Sequence, residues 1–109
     1  MPAEGVRFMR LMVFFDLPVK TREERRAATK FRQFLVNDGY IMVQLSVYSR
    51  ICRGQDAVQK HLMRLQGNLP SDGCVRSLAI TEQQYGRMHI HVGTMKKSEQ
   101  RGAVQLLLF

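Results

Sequence analysis

Hydrophobic positions fall into a few blocks, and each block has its own period. The first runs from Phe8 to Phe15, where seven of eight residues are apolar and only Arg10 interrupts. A run this short, rich in aromatic and branched side chains, predicts a central strand buried on both faces. It ends abruptly in Asp16-Leu17-Pro18. Proline cannot donate to a ladder and turns the residue before it away from helix, so the strand stops there. Asp16 is thereby placed at the carboxyl end of a central strand, the edge where open α/β sheets tend to collect their chemistry.

The period then changes to that of a helix. Thr21 with Glu24 three residues later makes a capping box, and Gly39 supplies a stop, so a helix is expected from Thr21 to about Asp38. Ala27, Ala28, Phe31, Phe34 and Leu35 fall on one arc, and Arg22, Arg25, Arg26, Lys30 and Arg32 on the other. From Tyr40 to Cys52 the period is two, with Ile41, Val43, Leu45 and Val47 alternating against Met42, Gln44, Ser46 and Tyr48. Periodicity alone gives one long strand, which a bend or bulge near Gln44–Ser46 could split.

A turn at Arg53-Gly54-Gln55-Asp56 leads into a second helix carrying Val58, Leu62 and Leu65, with Lys60, His61 and Arg64 towards its other side. Gly67 and Pro70 close it. The run CVRSLAIT then predicts a strand, Gln83–Gly86 a polar turn, and Met88, Ile90 and Val92 a further short strand. The order β-α-β-(β)-α-β-β suggests an α+β, ferredoxin-like βαββαβ sheet with two helices on one face. The other face then needs a cover, which a second copy packed sheet to sheet would supply. Residues 1–92 form this domain. Residues 93–109 are a polar stretch and then VQLLLF, expected as a C-terminal strand exchanged or shared in a homodimer.

Charge changes the picture of what the domain meets. Seventeen Lys and Arg against nine Asp and Glu give a net charge of +8 and favour a polyanionic partner. The imbalance on the first helix is local: only Glu23 and Glu24, both in its first turn, offset five cations. Such a face is either merely solvated or built to hold phosphates. No stretch approaches the length of a membrane span and no signal pattern opens the chain, so a cytoplasmic protein with no membrane partner is expected. Cys52 and Cys74 form no CxxC pair and read as two thiols in or near the core, a disulfide being the alternative.

Candidate chemistry is sparse. His89 and His91 share a strand face, but structural zinc takes about four ligands and no further Cys or His pair has ligand spacing. There is no GxSxG and no phosphate-cradling glycine loop. Asp16 is left. It is either a loop-capping aspartate or, paired with the Asp16 of a twofold-related copy, half of a Mg²⁺ site.

RLMVFFDLP, followed by TREERRAATKFRQFLVNDGYIMVQLSVYSRIC, HLMRLQGNLP, the VRSLAIT strand with its TEQQYG turn and the LLLF ending, resembles the CRISPR-associated protein two family. Members from single-effector systems are the most similar, and the likeness runs from about Arg10 to Phe109. The resemblance implies a ferredoxin-like homodimer acting in spacer acquisition, bridging dimers of the CRISPR integrase and lying along duplex protospacer DNA. It also implies a metal-dependent endonuclease acting on single-stranded RNA or on DNA, with Mg²⁺ (or Mn²⁺) at Asp16. A nuclease needs Asp16. A DNA-holding scaffold without catalysis needs its cations, with Arg22, Arg25, Arg26, Lys30, Arg50, Lys60 and Arg64 the candidates.

Overall fold

The computed structural model describes residues 7–92, which form a four-stranded antiparallel sheet in the order β2-β3-β1-β4. The strands are β1 (Phe8–Asp16), β2 (Ile41–Gln44), β3 (Val47–Arg53) and β4 (Cys74–Thr81). The helices are α1 (Arg22–Asn37), α2 (Gly54–Gln66) and the short α3 (Glu82–Gly86). The βαββαβ order and the central place of β1 are as the hydrophobic pattern predicts.

Both long helices pack on one face of the sheet. Met9, Leu11, Val13 and Phe15 of β1 join Phe31 and Leu35 of α1 and Val58 and Leu65 of α2 in one core. Phe31 meets Phe15 edge-on at 5.2 Å between centroids, a favoured aromatic geometry. The predicted capping box closes α1: Glu24 N–H donates to Thr21 Oγ1 at 3.0 Å, and Thr21 N–H donates to Glu24 Oε1 at 2.9 Å. Gly39 turns the chain out of α1 with φ +95°, and a Cβ there would lie 2.6 Å from the Arg50 guanidinium.

The structure departs from several expectations and decides between others. Of the two alternatives for Tyr40–Cys52 the structure takes the split one, with two strands folded back at Leu45–Ser46 and Ser46 at φ +68°. Phe15 N–H holds this turn to β1 by donating to Ser46 O at 3.0 Å. The expected polar turn after β4 is α3, whose own capping box links Thr81 and Gln84. Met88–Val92 forms no strand: period-two alternation prepares a face, but a ladder needs a partner, and none of β1–β4 pairs with this stretch.

β1 is covered fully on one face only. On the other, Phe8 is 52% and Phe14 36% exposed, while Arg10 and Met12 between them are buried. The thiols also part company: Cys52 is in the core, whereas Cys74 is exposed, and both are free. The expected C-terminal strand, residues 93–109, lies outside the described residues.

Candidate functional site

Strand register assigns side chains to the two sides of the sheet, since residues directly opposite in an antiparallel pair share a face. Phe8, Arg10, Met12, Phe14 and Asp16 lie on the face away from α1 and α2. Opposite them on β3 are Arg53, Ile51, Ser49 and Val47, and on β4 Ile80, Leu78, Arg76 and Cys74. Ile41 extends this row from β2 opposite Ser49. Phe8, Phe14, Ile41, Ile51 and Leu78 are all exposed. Large apolar side chains exposed on all four strands of one sheet face are characteristic of an interaction surface.

Asp16 sits at one end of this open face, exposed, opposite Cys74. Its position is fixed from behind. Gly73, at φ +97°, lets the β4 strand approach so closely that a Cβ would lie 2.7 Å from Asp16 O and from the Leu17 side chain. Among the described residues Asp16 makes no ion pair. Nor do three His, Cys, Asp or Glu side chains gather anywhere among them as a metal site. The described residues therefore bring fewer than three such ligands to Asp16. That is too few for a closed protein cage, but Mg²⁺ is commonly held by one or two carboxylates with waters and phosphate oxygens.

The helical layer carries the opposite charge. Arg22, Arg25, Arg26 and Lys30 are exposed and line one shallow surface of α1 together with Thr29 and Gln33. Arg25 also donates to Lys20 O at 3.0 Å, steadying the loop that leads from Asp16 into α1. Arg32 departs from the expected solvated arc: it is half-buried, its guanidinium 5.5 Å from the Phe15 ring centroid, as in a cation–π contact. Lys60 is exposed on α2.

Arg50 and Arg64 have internal partners that the sequence did not reveal. Asp38, its side chain only 3% exposed, receives Arg64 Nε on Oδ1 at 2.8 Å and lies 2.8 Å from His61 Nδ1 through Oδ2. Arg50 donates to Asp38 O. His61, expected on the solvent side of α2, is buried here. Its place on the helix explains this, since it lies three residues after Val58 and four before Leu65, both core residues. An acid at the C-terminal end of α1 opposes the helix dipole, which is a sequence-level sign that cations must meet it. The cluster ties α1, β3 and α2 together. Beside it, burial pushes the Tyr40 hydroxyl and the Cys52 thiol to higher pKa.

A second ion pair shapes the open face. Arg10, in the middle of β1, reaches Glu82 of α3 through Nε at 2.9 Å and through its second guanidinium nitrogen at 2.6 Å. Its guanidinium stacks 4.1 Å from the Tyr85 ring centroid. The hydrogen bond from Arg10 holds the Glu82 carboxyl below its usual range. The short helix is thus clamped over one end of the open face, opposite to the end that bears Asp16. His89 and His91 are exposed with rings nearly parallel at 6.1 Å, with no third ligand among the described residues.

Residues 9–88 match the family described as CRISPR associated protein Cas2. The chain is 54% identical over 102 residues to a protein of Acidovorax ebreus, covering 93% of this chain and 100% of that one. It is 44% identical over 100 residues to a protein of Ligilactobacillus salivarius, covering 92% and 99%. A Flavobacterium psychrophilum protein is 37% identical over 99 residues, covering 91% and 86%. All three are named CRISPR-associated endoribonuclease Cas2. The chain belongs to the Cas2 family.

Proposed function

We propose that this Cas2-family chain is a CRISPR adaptation subunit that works as a homodimer. Its open sheet face packs on that of a second copy, so that two Asp16 carboxylates share a site for Mg²⁺ or Mn²⁺. The observation that carries this reading is the position of Asp16: exposed, free of any ion pair among the described residues, and at the rim of a sheet face on which Phe8, Phe14, Ile51 and Leu78 stay exposed. Twofold symmetry doubles every residue on such a face. Two facing carboxylates repel unless protonated or bridged by a cation, which gives the second Asp16 its use.

When bound, the divalent cation supplies Lewis acidity and charge neutralisation for a phosphodiester. Asp16 holds it, and Gly73 fixes the backbone from which Asp16 projects. The exposed cations of α1, and Lys60 on α2, hold nucleic acid through its phosphates, so recognition is independent of sequence. Two copies at +8 carry about +16, and binding weakens steeply with salt. In adaptation the dimer bridges integrase dimers along duplex DNA.

One observation favours a second reading, a DNA-holding scaffold without catalysis. The cations of α1 lie on the layer opposite the sheet face that carries Asp16, and they can work without it. The two readings separate in a cleavage assay on single-stranded RNA and duplex DNA, with Mg²⁺ and with chelator. The nuclease reading expects metal-dependent cleavage that Asp16→Ala abolishes. Equal products from wild type and Asp16→Ala, or none from either, leave the scaffold.

A further inference from the structure

We propose that Arg76 is a phosphate-binding residue of the Asp16 site, gripping the nucleic-acid phosphate on which that carboxylate and its cation act. The inference rests on the reading of Asp16 given above, and it assigns the site a second side chain from a different strand.

Register carries the argument. Asp16 stands opposite Cys74 and Phe14 opposite Arg76, so Arg76 is the diagonal neighbour of Asp16 on the same sheet face. Diagonal neighbours lie roughly 7–8 Å apart, within reach of a long side chain. Among the described residues three arginines occupy this face. Arg10 is spent on Glu82 and stands six residues back along β1, roughly 20 Å away at the strand rise. Arg53, opposite Phe8, is farther still. Arg76 alone is at the Asp16 end, exposed, and without an ion pair or side-chain hydrogen bond among the described residues.

An arginine in that position needs a partner. Phe14, directly across, is part of the apolar patch, and covering that patch would draw Arg76 away from water. A guanidinium left unpaired in such a place is strongly unfavourable. Its planar fork matches a phosphate bidentately, and the divalent cation beside Asp16 binds the same kind of group through oxygen. The α1 cations cannot substitute, because they lie on the far side of the helical layer. The competing partner is the Asp16 carboxylate of a second copy, which would make Arg76 an interface residue instead.

The test measures binding of a fluorescent single-stranded RNA and a short duplex DNA in chelator, where no cleavage interferes. Wild type, Arg76→Ala and Arg76→Lys are compared, and dimer mass is recorded by sedimentation for each. The proposal expects Arg76→Ala to bind at least one of them about tenfold or more weakly, with the slope of log affinity against log salt reduced by about one. Arg76→Lys, a point charge without the fork, recovers part of the loss. The dimer stays intact.

Affinity unchanged in Arg76→Ala overturns the assignment, and so does a loss explained wholly by dimer dissociation. Cleavage with Mg²⁺ tells the two levels apart. If Asp16→Ala is inactive while Arg76→Ala binds and cleaves as wild type, only the Arg76 assignment falls. If Asp16→Ala cleaves as wild type, the nuclease reading falls, and the shared phosphate site with it.

Discussion

Both faces of this sheet carry large apolar side chains, and those side chains meet opposite fates. On one, Met9, Leu11, Val13 and Phe15 are sealed under α1 and α2. On the other, Phe8, Phe14, Ile51 and Leu78 are 36–55% exposed, though they are no less apolar. The difference teaches that hydrophobicity states a demand for cover and does not say which chain provides it. On the helical side the demand is met within the protomer, and the outer helix surface is left to carry charge. On the open side the described residues do not meet it, and the acidic candidate for chemistry sits at its rim.

Breaking the open face should have the largest effect. Ile51→Glu places a charge in the middle of the patch in each copy, and burying unpaired charges is costly. We expect dimer dissociation to rise by at least about two orders of magnitude, equivalent to ~2.8 kcal/mol, with the helical content unchanged. Sedimentation and circular dichroism check it together. A variant as dimeric as wild type would remove the open face from the interface.

The helical side is broken by stability instead. Asp38→Ala leaves His61 buried without its partner and Arg64 without its acceptor. Loss of one partner from a buried charged cluster costs about 3 kcal/mol. Urea denaturation should show it at a fixed protein concentration. A change below about 0.5 kcal/mol would mean the cluster does not hold the helices.

Arg10 and Glu82 sharpen the comparison, since theirs is the one ion pair among the described residues on the open face. The Glu82 side chain is 41% exposed, so Glu82→Ala should cost only about 1–2 kcal/mol. The sign of its pH dependence follows from the lowered Glu82 pKa, which comes first from the Arg10 hydrogen bond. Stability from this pair is fully present above the ordinary carboxylate pKa and is lost as pH falls through the lower, folded value. Comparing wild type and Glu82→Gln across the acid limb should show that component missing in the variant. Identical profiles would contradict it.

Least destabilising are the outer cations. Arg22→Ala and Arg26→Ala should each leave stability within about 0.5 kcal/mol, yet lower the salt slope of nucleic-acid binding by about one. A fluorescence titration over a salt series reads both slope and affinity. Unchanged slopes would make this face a merely solvated one.

Much of this architecture was legible in the sequence. Thr21, Glu24 and Gly39 bracket α1 closely, and the apolar run Phe8–Phe15 marks the central strand because nothing else satisfies it. The hairpin at Leu45–Ser46 was legible only as one of two alternatives, because it uses no Gly or Asn, and a serine takes the left-handed position. α3 did carry a signal, Thr81 followed by Gln84, but only five helical residues follow it. His61 was misplaced because its polarity outweighed its position between Val58 and Leu65. Asp16 could be found from the strand that ends in it. Arg76 could not, because alternation within one strand says nothing about which residue of another lies across from it. Register supplies that, and register is a property of the sheet.

On the proposed reading the two faces divide the work, with chemistry and the Arg76 grip at the rim of the open face and most of the charge for holding nucleic acid on the helices. The most direct measurement follows one labelled oligonucleotide with Asp16→Ala, reading affinity in chelator and cleavage in Mg²⁺ on the same preparation. The account predicts that cleavage is lost while affinity stays within about twofold of wild type, because the α1 cations are intact. Cleavage that persists at the wild-type rate, or affinity that falls along with cleavage, would contradict that division.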